Sequence, residues 1–167
     1  VSLIVLGVDP GSRVTGYGLV GERQECLYHL DSGQINLPGR LPQSQRLLRI
    51  YQRLTELLEL QPPGALAVEE VFLARNVQSA LKLGQVRGVV MLAAAQAGVP
   101  VFEYSPLVLK KAVVGYGQAS KDQVKMMVEQ LLGQTVTNHN AADALALSIC
   151  HLFHDRQQRL ISDQSPV

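Results

Sequence analysis

Leu3 to Asp9 (LIVLGVD) is a continuous apolar run closed by Asp9-Pro10-Gly11-Ser12, the pattern of a strand buried on both faces and ended by a tight turn. A second strand is predicted over Val14 to Val20, interrupted by Gly16 and Gly18, and a third over Leu27 to Ile35; the three predict a meander. Leu47, Leu48, Ile50, Tyr51, Leu54, Leu57 and Leu58 then recur at helical spacing between Pro42 and the stop at Pro62-Pro63-Gly64. Ala65 to Glu69 reads as a short buried strand, Asn76 to Ala97 as a long helix and Val99 to Phe102 as another short strand. Three helices follow, around 106–113, 121–132 and 141–156. Strands first, then strands alternating with helices, predict an α/β fold with a mixed five-stranded sheet flanked by helices. With no internal repeat or long linker, residues 1–156 are expected to form one domain and 157–167 a flexible polar tail.

Composition removes several alternatives. The 167 residues are 47% hydrophobic and 17% charged, against about 25% charged in average soluble domains, which excludes disorder as a mode of action. The longest internal apolar run, Val89 to Ala95, is far short of the ~20 residues that cross a bilayer, and Val1 to Val8 lacks the basic flank of a signal peptide, so no membrane partner is expected. Cys26 and Cys150 stand alone, without the spacing of a zinc site or a disulfide framework, which fits a reducing cytoplasm.

The net charge of +1 argues against a uniformly basic nucleic-acid binder, but the charge is segregated. Residues 1–70 carry six basic and eight acidic side chains, residues 71–128 seven and two, and residues 129–167 two and four. The basic middle third, with Arg75, Lys82, Arg87, Lys110, Lys111, Lys121 and Lys125, is a candidate phosphate-facing surface; the alternative is a solvated helix face. In the long helix, Gly84 and Gly88 lie one turn apart, which points to close backbone approach by another helix, either within the chain or across a two-fold axis.

Three carboxylates sit in apolar places. Asp9 ends the first strand, Glu69 ends Ala-Leu-Ala-Val, and Asp143 is embedded in Ala141-Ala142-Asp143-Ala144-Leu145. Unpaired, each would be costly to bury, and carboxylates brought together repel unless a cation joins them. Hard oxygen donors favour Mg²⁺ or Mn²⁺ over zinc. Each acid also has a plainer reading: Asp9 as the start of a turn, Glu69 as a solvent-facing neighbour of Glu70, Asp143 as a first-turn acid behind an Asn140 cap.

Val8-Asp9-Pro10-Gly11-Ser12 with Thr15-Gly16-Tyr17-Gly18, Val68-Glu69-Glu70-Val71-Phe72, Ser79 to Gly88 (SALKLGQVRG), Pro100 to Tyr104, Val113 to Gly117 and Ala141 to Ala146 together resemble the RuvC family of bacterial Holliday-junction resolvases. The likeness runs from about residue 4 to 155. It implies an RNase H-like fold, a homodimer, a four-way DNA junction as substrate, a branch-migration motor as partner, and phosphodiester hydrolysis by two divalent cations about 3.5–4 Å apart. The expected products are 5′-phosphate and 3′-hydroxyl ends.

By that resemblance Asp9, Glu69 and Asp143 are catalytic, metal-holding acids. Asn140 stands where the family's pattern places a further acid, with His139 beside it; either can complete the set, Asn140 as a neutral oxygen ligand or His139 in its place. An amide or imidazole there predicts a relative preference for Mn²⁺. Lys110, Lys111 and Lys121 are placed against DNA phosphates, and Phe72, followed by Arg75 and Asn76, against the open centre of the junction. Competing readings are a sugar-kinase-like ATPase, for which the chain lacks room for a second domain, an RNase H-like nuclease acting on RNA, and a catalytically impaired junction-binding module.

Overall fold

The computed structural model describes residues 2–70 and 76–163. Five strands, β1 (Leu3–Asp9), β2 (Val14–Arg23), β3 (Cys26–Asn36), β4 (Ala65–Glu69) and β5 (Val101–Tyr104), form one sheet in the order β3-β2-β1-β4-β5. β1 to β3 are an antiparallel meander, with Asp9 opposite Gly16 and Val14 opposite Asn36. β4 joins β1 in parallel, Val8 opposite Val68, and β5 joins β4 in parallel, Glu69 opposite Tyr104. Asp9 and Glu69 therefore finish neighbouring parallel strands at the same edge.

Alternation along the central strands divides the core into two layers. Leu6, Val8, Leu66 and Val68 pack against α1 (Gln43–Leu60) and α2 (Val77–Gln96). Val5, Ala65 and Ala67 pack on the opposite face against α3 (Pro106–Val113), α4 (Lys121–Leu132) and α5 (His139–Asp163). From Ala141 to Leu152 every residue of α5 is buried except Asp143. This helix lies almost directly on the strands' backbone. A Cβ on Gly7 would stand 1.9 Å from the Ala144 carbonyl oxygen and one on Gly16 2.1 Å from that of Asn140, so only glycine admits α5 at this distance. The Ser148 hydroxyl fastens the contact by donating to the Gly18 carbonyl at 2.9 Å.

The expected mixed α/β sheet is present, with β2 running three residues past Val20 to Arg23 and further differences of boundary at β5 and α5. β5 begins two residues later than Val99, because Gly98 turns the chain at φ 69° and Pro100 contributes only its carbonyl, to Leu66 N at 2.9 Å. α5 begins at His139 and continues to Asp163, so 157–163 of the expected tail is helical. Its polar end is anchored at the far side of the sheet, where buried Glu22 receives Arg156 at 3.0 Å and Arg159 at 3.6 Å. The cap of α5 is Asn138, whose side-chain oxygen accepts from Ala141 N at 2.8 Å, in place of the Asn140 cap considered from sequence.

Candidate active site

Asp9 and Glu69 reach the site from the ends of β1 and β4, and Asp143 from the first turns of α5, which the glycine contacts press onto β1. The three line one cavity of about 240 Å³ with Pro106, Leu109, Lys110, Lys121, Val124 and Leu147. Acids and lysines thus share a chamber whose remaining walls are apolar. A larger cavity of about 550 Å³ lies between α3 and α5 and contains none of these acids.

The electrostatics show how strained the acid cluster is. Burial, then the charges of Asp143 and Glu69, push the Asp9 carboxyl up to about 7, against a partial offset from Lys121. Glu69 is raised by burial and by Asp143, with Lys121 and Lys110 opposing. Asp143 is raised by burial, while Lys121, His139 and Lys110 hold it down. Lys121 Nζ lies 3.6 Å from Asp143 Oδ2. Lys121 is the first residue of α4, behind the Ser120 cap, where the helix dipole disfavours a cation; its three acidic neighbours are what favour it there.

The donor set suits a hard divalent cation: three carboxylates, no thiolate, and mutual repulsion that a bound cation would relieve. Among the described residues no three acidic, histidine or cysteine side chains are already drawn around one point closely enough to hold an ion. Lys121 stands beside Asp143, with Nζ 3.6 Å from its carboxylate. Asp9, Glu69 and Asp143 fit the cation in their chemistry and in lining one cavity.

The other candidates divide. Asn140 does not line the cavity; its amide donates to Gln34 Oε1 on β3 at 3.2 Å, tying the start of α5 to the meander. His139 also stands outside the lining, exposed, with Nε2 3.6 Å from Asp122 Oδ1. Lys110 enters the site, whereas its neighbour Lys111 turns into the larger cavity beside Phe153 and His154. Asn76 caps α2, accepting from Ser79 N at 2.9 Å. Phe72 and Arg75 lie outside the described residues. Arg87, counted in the basic third, is 17% exposed and engaged with the ends of β4 and β5. No periodicity or spacing distinguished it from the exposed bases around it.

A mixed sheet in this order, with acids closing its two central parallel strands and a third on the helix laid across them, defines a domain of the RNase H-like class. The family profile described as crossover junction endodeoxyribonuclease RuvC matches residues 5–151. The chain belongs to the RuvC family. It is 49% identical over 148 residues to the crossover junction endodeoxyribonuclease RuvC of Geobacter sulfurreducens, covering 88% of this chain and 90% of that protein. The RuvC of Legionella pneumophila is 48% identical over 149 residues, covering 89% and 86%. The structure of T. thermophilus RuvC in complex with Holliday junction substrate superposes with a TM-score of 0.89 at 36% identity, over 93% of this chain and 96% of that one. The yeast mitochondrial Holliday junction resolvase Ydc2 shares the fold, at a TM-score of 0.68 and 12% identity.

Proposed function

We propose that this chain is a structure-specific DNA endonuclease that resolves four-way junctions by nicking two strands symmetrically, in the cytoplasm, during recombination and repair. The observation that carries the reading is the convergence of Asp9, Glu69 and Asp143 with Lys110 and Lys121 in one chamber, in a member of the RuvC family.

Asp9, Glu69 and Asp143 would hold divalent cations, which would supply activation of the attacking water and neutralisation of the leaving oxygen in an in-line displacement at phosphorus. Lys121 and Lys110 offset part of the acids' charge and contact the scissile phosphodiester, and Lys121 also neutralises charge that builds on phosphorus. Pro106, Leu109, Val124 and Leu147 give the chamber apolar walls, which lower the local dielectric and strengthen the charge interactions inside. Water adds to phosphorus, the bond to the 3′ oxygen breaks, and that oxygen takes up a proton, leaving 5′-phosphate and 3′-hydroxyl ends. Asn140 and His139 flank the chamber; with the amide or imidazole recruited as ligand, Mn²⁺ is favoured over Mg²⁺.

Two equivalent cuts require two sites. A homodimer through α2 is supported by an apolar face that no described residue covers: Val77 is 75% exposed, Leu81 63% and Leu92 61%. Among the described residues a Cβ on Gly84 or Gly88 would meet nothing within 4 Å, so packing against them does not explain these glycines. A branch-migration motor is the further partner proposed. Among the described residues no helix is long and apolar enough to cross a membrane.

The test is nicking of a synthetic mobile four-way junction, labelled on each strand in turn, under Mg²⁺ and then Mn²⁺. Paired nicks at symmetry-related positions, and an Asp9→Asn protein that binds without cutting, are the expected results. Binding without nicking in either metal would favour the impaired-module reading, and faster cleavage of structured RNA would favour the RNA nuclease; either overturns the proposal.

A further inference from the structure

Glu69 stands one residue past the last β4 pairing with β1, Val68 opposite Val8, and the next five residues after Glu70 lie outside the described chain. Its carboxylate can act at a fixed place only if the strand end is fixed. On the β5 side, Glu70 N donates to Tyr104 O at 2.8 Å. The second restraint comes from a helix. Arg87 Nη1, on α2, donates to the Glu69 carbonyl oxygen at 2.6 Å. Its other terminal nitrogen, Nη2, donates to the Glu103 carboxylate of β5, which fixes the plane of the guanidinium. One planar fork thus joins α2 to the ends of both β4 and β5.

We infer that Arg87 is a positioning residue for the cleavage reaction, holding the Glu69 strand end through its carbonyl and tying it to α2. The inference rests on the reading of Glu69 as a site acid. Arginine suits the task because two donors fixed in one plane reach a carbonyl and a carboxylate together, whereas lysine offers one point charge on a flexible stem. Gly88 follows Arg87 directly, so the same turn of α2 has the half-buried fork on one side and the exposed Gly84/Gly88 face on the other. A helix pair formed on that face would brace the helix from which the fork projects.

The experiment compares wild type, R87Q, R87K, E103Q and E69Q in single-turnover nicking of a synthetic four-way junction with protein in excess. Junction affinity is measured in EDTA, oligomeric state by sedimentation, and Mn²⁺ binding by calorimetry without DNA. R87Q should lower the single-turnover rate constant roughly 10- to 100-fold and weaken Mn²⁺ binding, with junction affinity and oligomeric state unchanged. R87K should recover part of the rate, and E103Q should fall in the same direction by less. A role confined to stability would lower the amplitude of the nicking phase, as a smaller active fraction, and leave its rate constant alone. An R87Q rate constant within twofold of wild type, or a loss confined to amplitude, overturns the inference. Should R87Q fail to fold, unchanged rate constants in both R87K and E103Q do the same. E69Q separates this failure from that of the site assignment: full nicking by E69Q discards Glu69 itself, whereas an inactive E69Q beside a normal R87Q discards only the role of Arg87.

Discussion

Replacing Asp9 with asparagine should stabilise the metal-free protein while abolishing nicking. The Asp9 carboxyl is pushed from 3.8 up to about 7 by burial first and then by the charges of Asp143 and Glu69. Between those two values the folded state keeps a proton that the unfolded chain has released. Raising the pH through this window therefore favours unfolding, and the loss is complete above about 7. The two values differ by roughly a thousandfold in proton affinity, equivalent to roughly 4 kcal/mol once both states are ionised. Asparagine has nearly the same shape and never ionises. Asp9→Asn should accordingly be about 4 kcal/mol more stable than wild type at pH 8 in EDTA, and within about 1 kcal/mol of it at pH 4. For a chain of this length the pH 8 difference is on the order of 10 °C in Tm.

The assay is urea or thermal unfolding of both proteins from pH 4 to pH 8 in EDTA, repeated at pH 8 with Mg²⁺ or Mn²⁺. Added cation should raise the Tm of wild type more than that of Asp9→Asn, because wild type has three mutually repelling carboxylates to relieve and the variant only Glu69 and Asp143. Equal stability at pH 8 in EDTA, or a difference that stays flat from pH 4 to pH 8, would show that neither burial nor its neighbours' charge disfavours ionised Asp9. The reasoning about the acid cluster would then fail even if nicking were lost.

Gly7→Ala brings a methyl group to 1.9 Å from the Ala144 carbonyl oxygen, so α5 must lift. A loss of about 3 kcal/mol or more is expected, and a Tm within 2 °C of wild type would refute the close contact of α5 on β1. Asn140→Asp restores an acid at the start of α5 and should narrow the rate difference between Mn²⁺ and Mg²⁺ by roughly tenfold; equal nicking rates in both metals before the change would remove its basis. Leu92→Glu places a charge on the exposed face of α2 and should shift the sedimentation profile from dimer to monomer, with junction nicking falling in parallel. A dimer that persists at low micromolar concentration would locate the pairing surface elsewhere.

The central strands and the two acids at their ends were legible in the sequence because strands buried on both faces read as unbroken apolar runs, leaving Asp9 and Glu69 conspicuous as terminators. Asp143 was legible for the same reason, as the one charged position in the apolar stretch Ala141 to Leu147. Placement that depends on distant residues was not. The Asn140 amide is directed by Gln34, 106 positions away, and the helical end of α5 by Glu22, 134 positions from Arg156. Polar sequence at 157–163 gives no sign of that anchor, since a polar helix and a polar tail share one composition.

The charge segregation shows most clearly what sequence order omits. A surplus of five positive charges over 71–128 suggests an excess of cations facing phosphate. In the structure Arg87 is committed to Glu69 and Glu103, and Lys111 turns away into the α3/α5 cavity. Two lysines, Lys110 and Lys121, remain at the site against three carboxylates. With all three ionised the chamber is negative by one charge before a phosphodiester, itself negative, arrives. Lysines alone therefore cannot make this chamber attractive to a phosphate. Either protons must neutralise the acids, which places the carboxylates in the wrong state to hold a cation, or divalent cations must supply the missing positive charge. The dependence on divalent metal that marks the RuvC family follows from this imbalance in the chain's own residues.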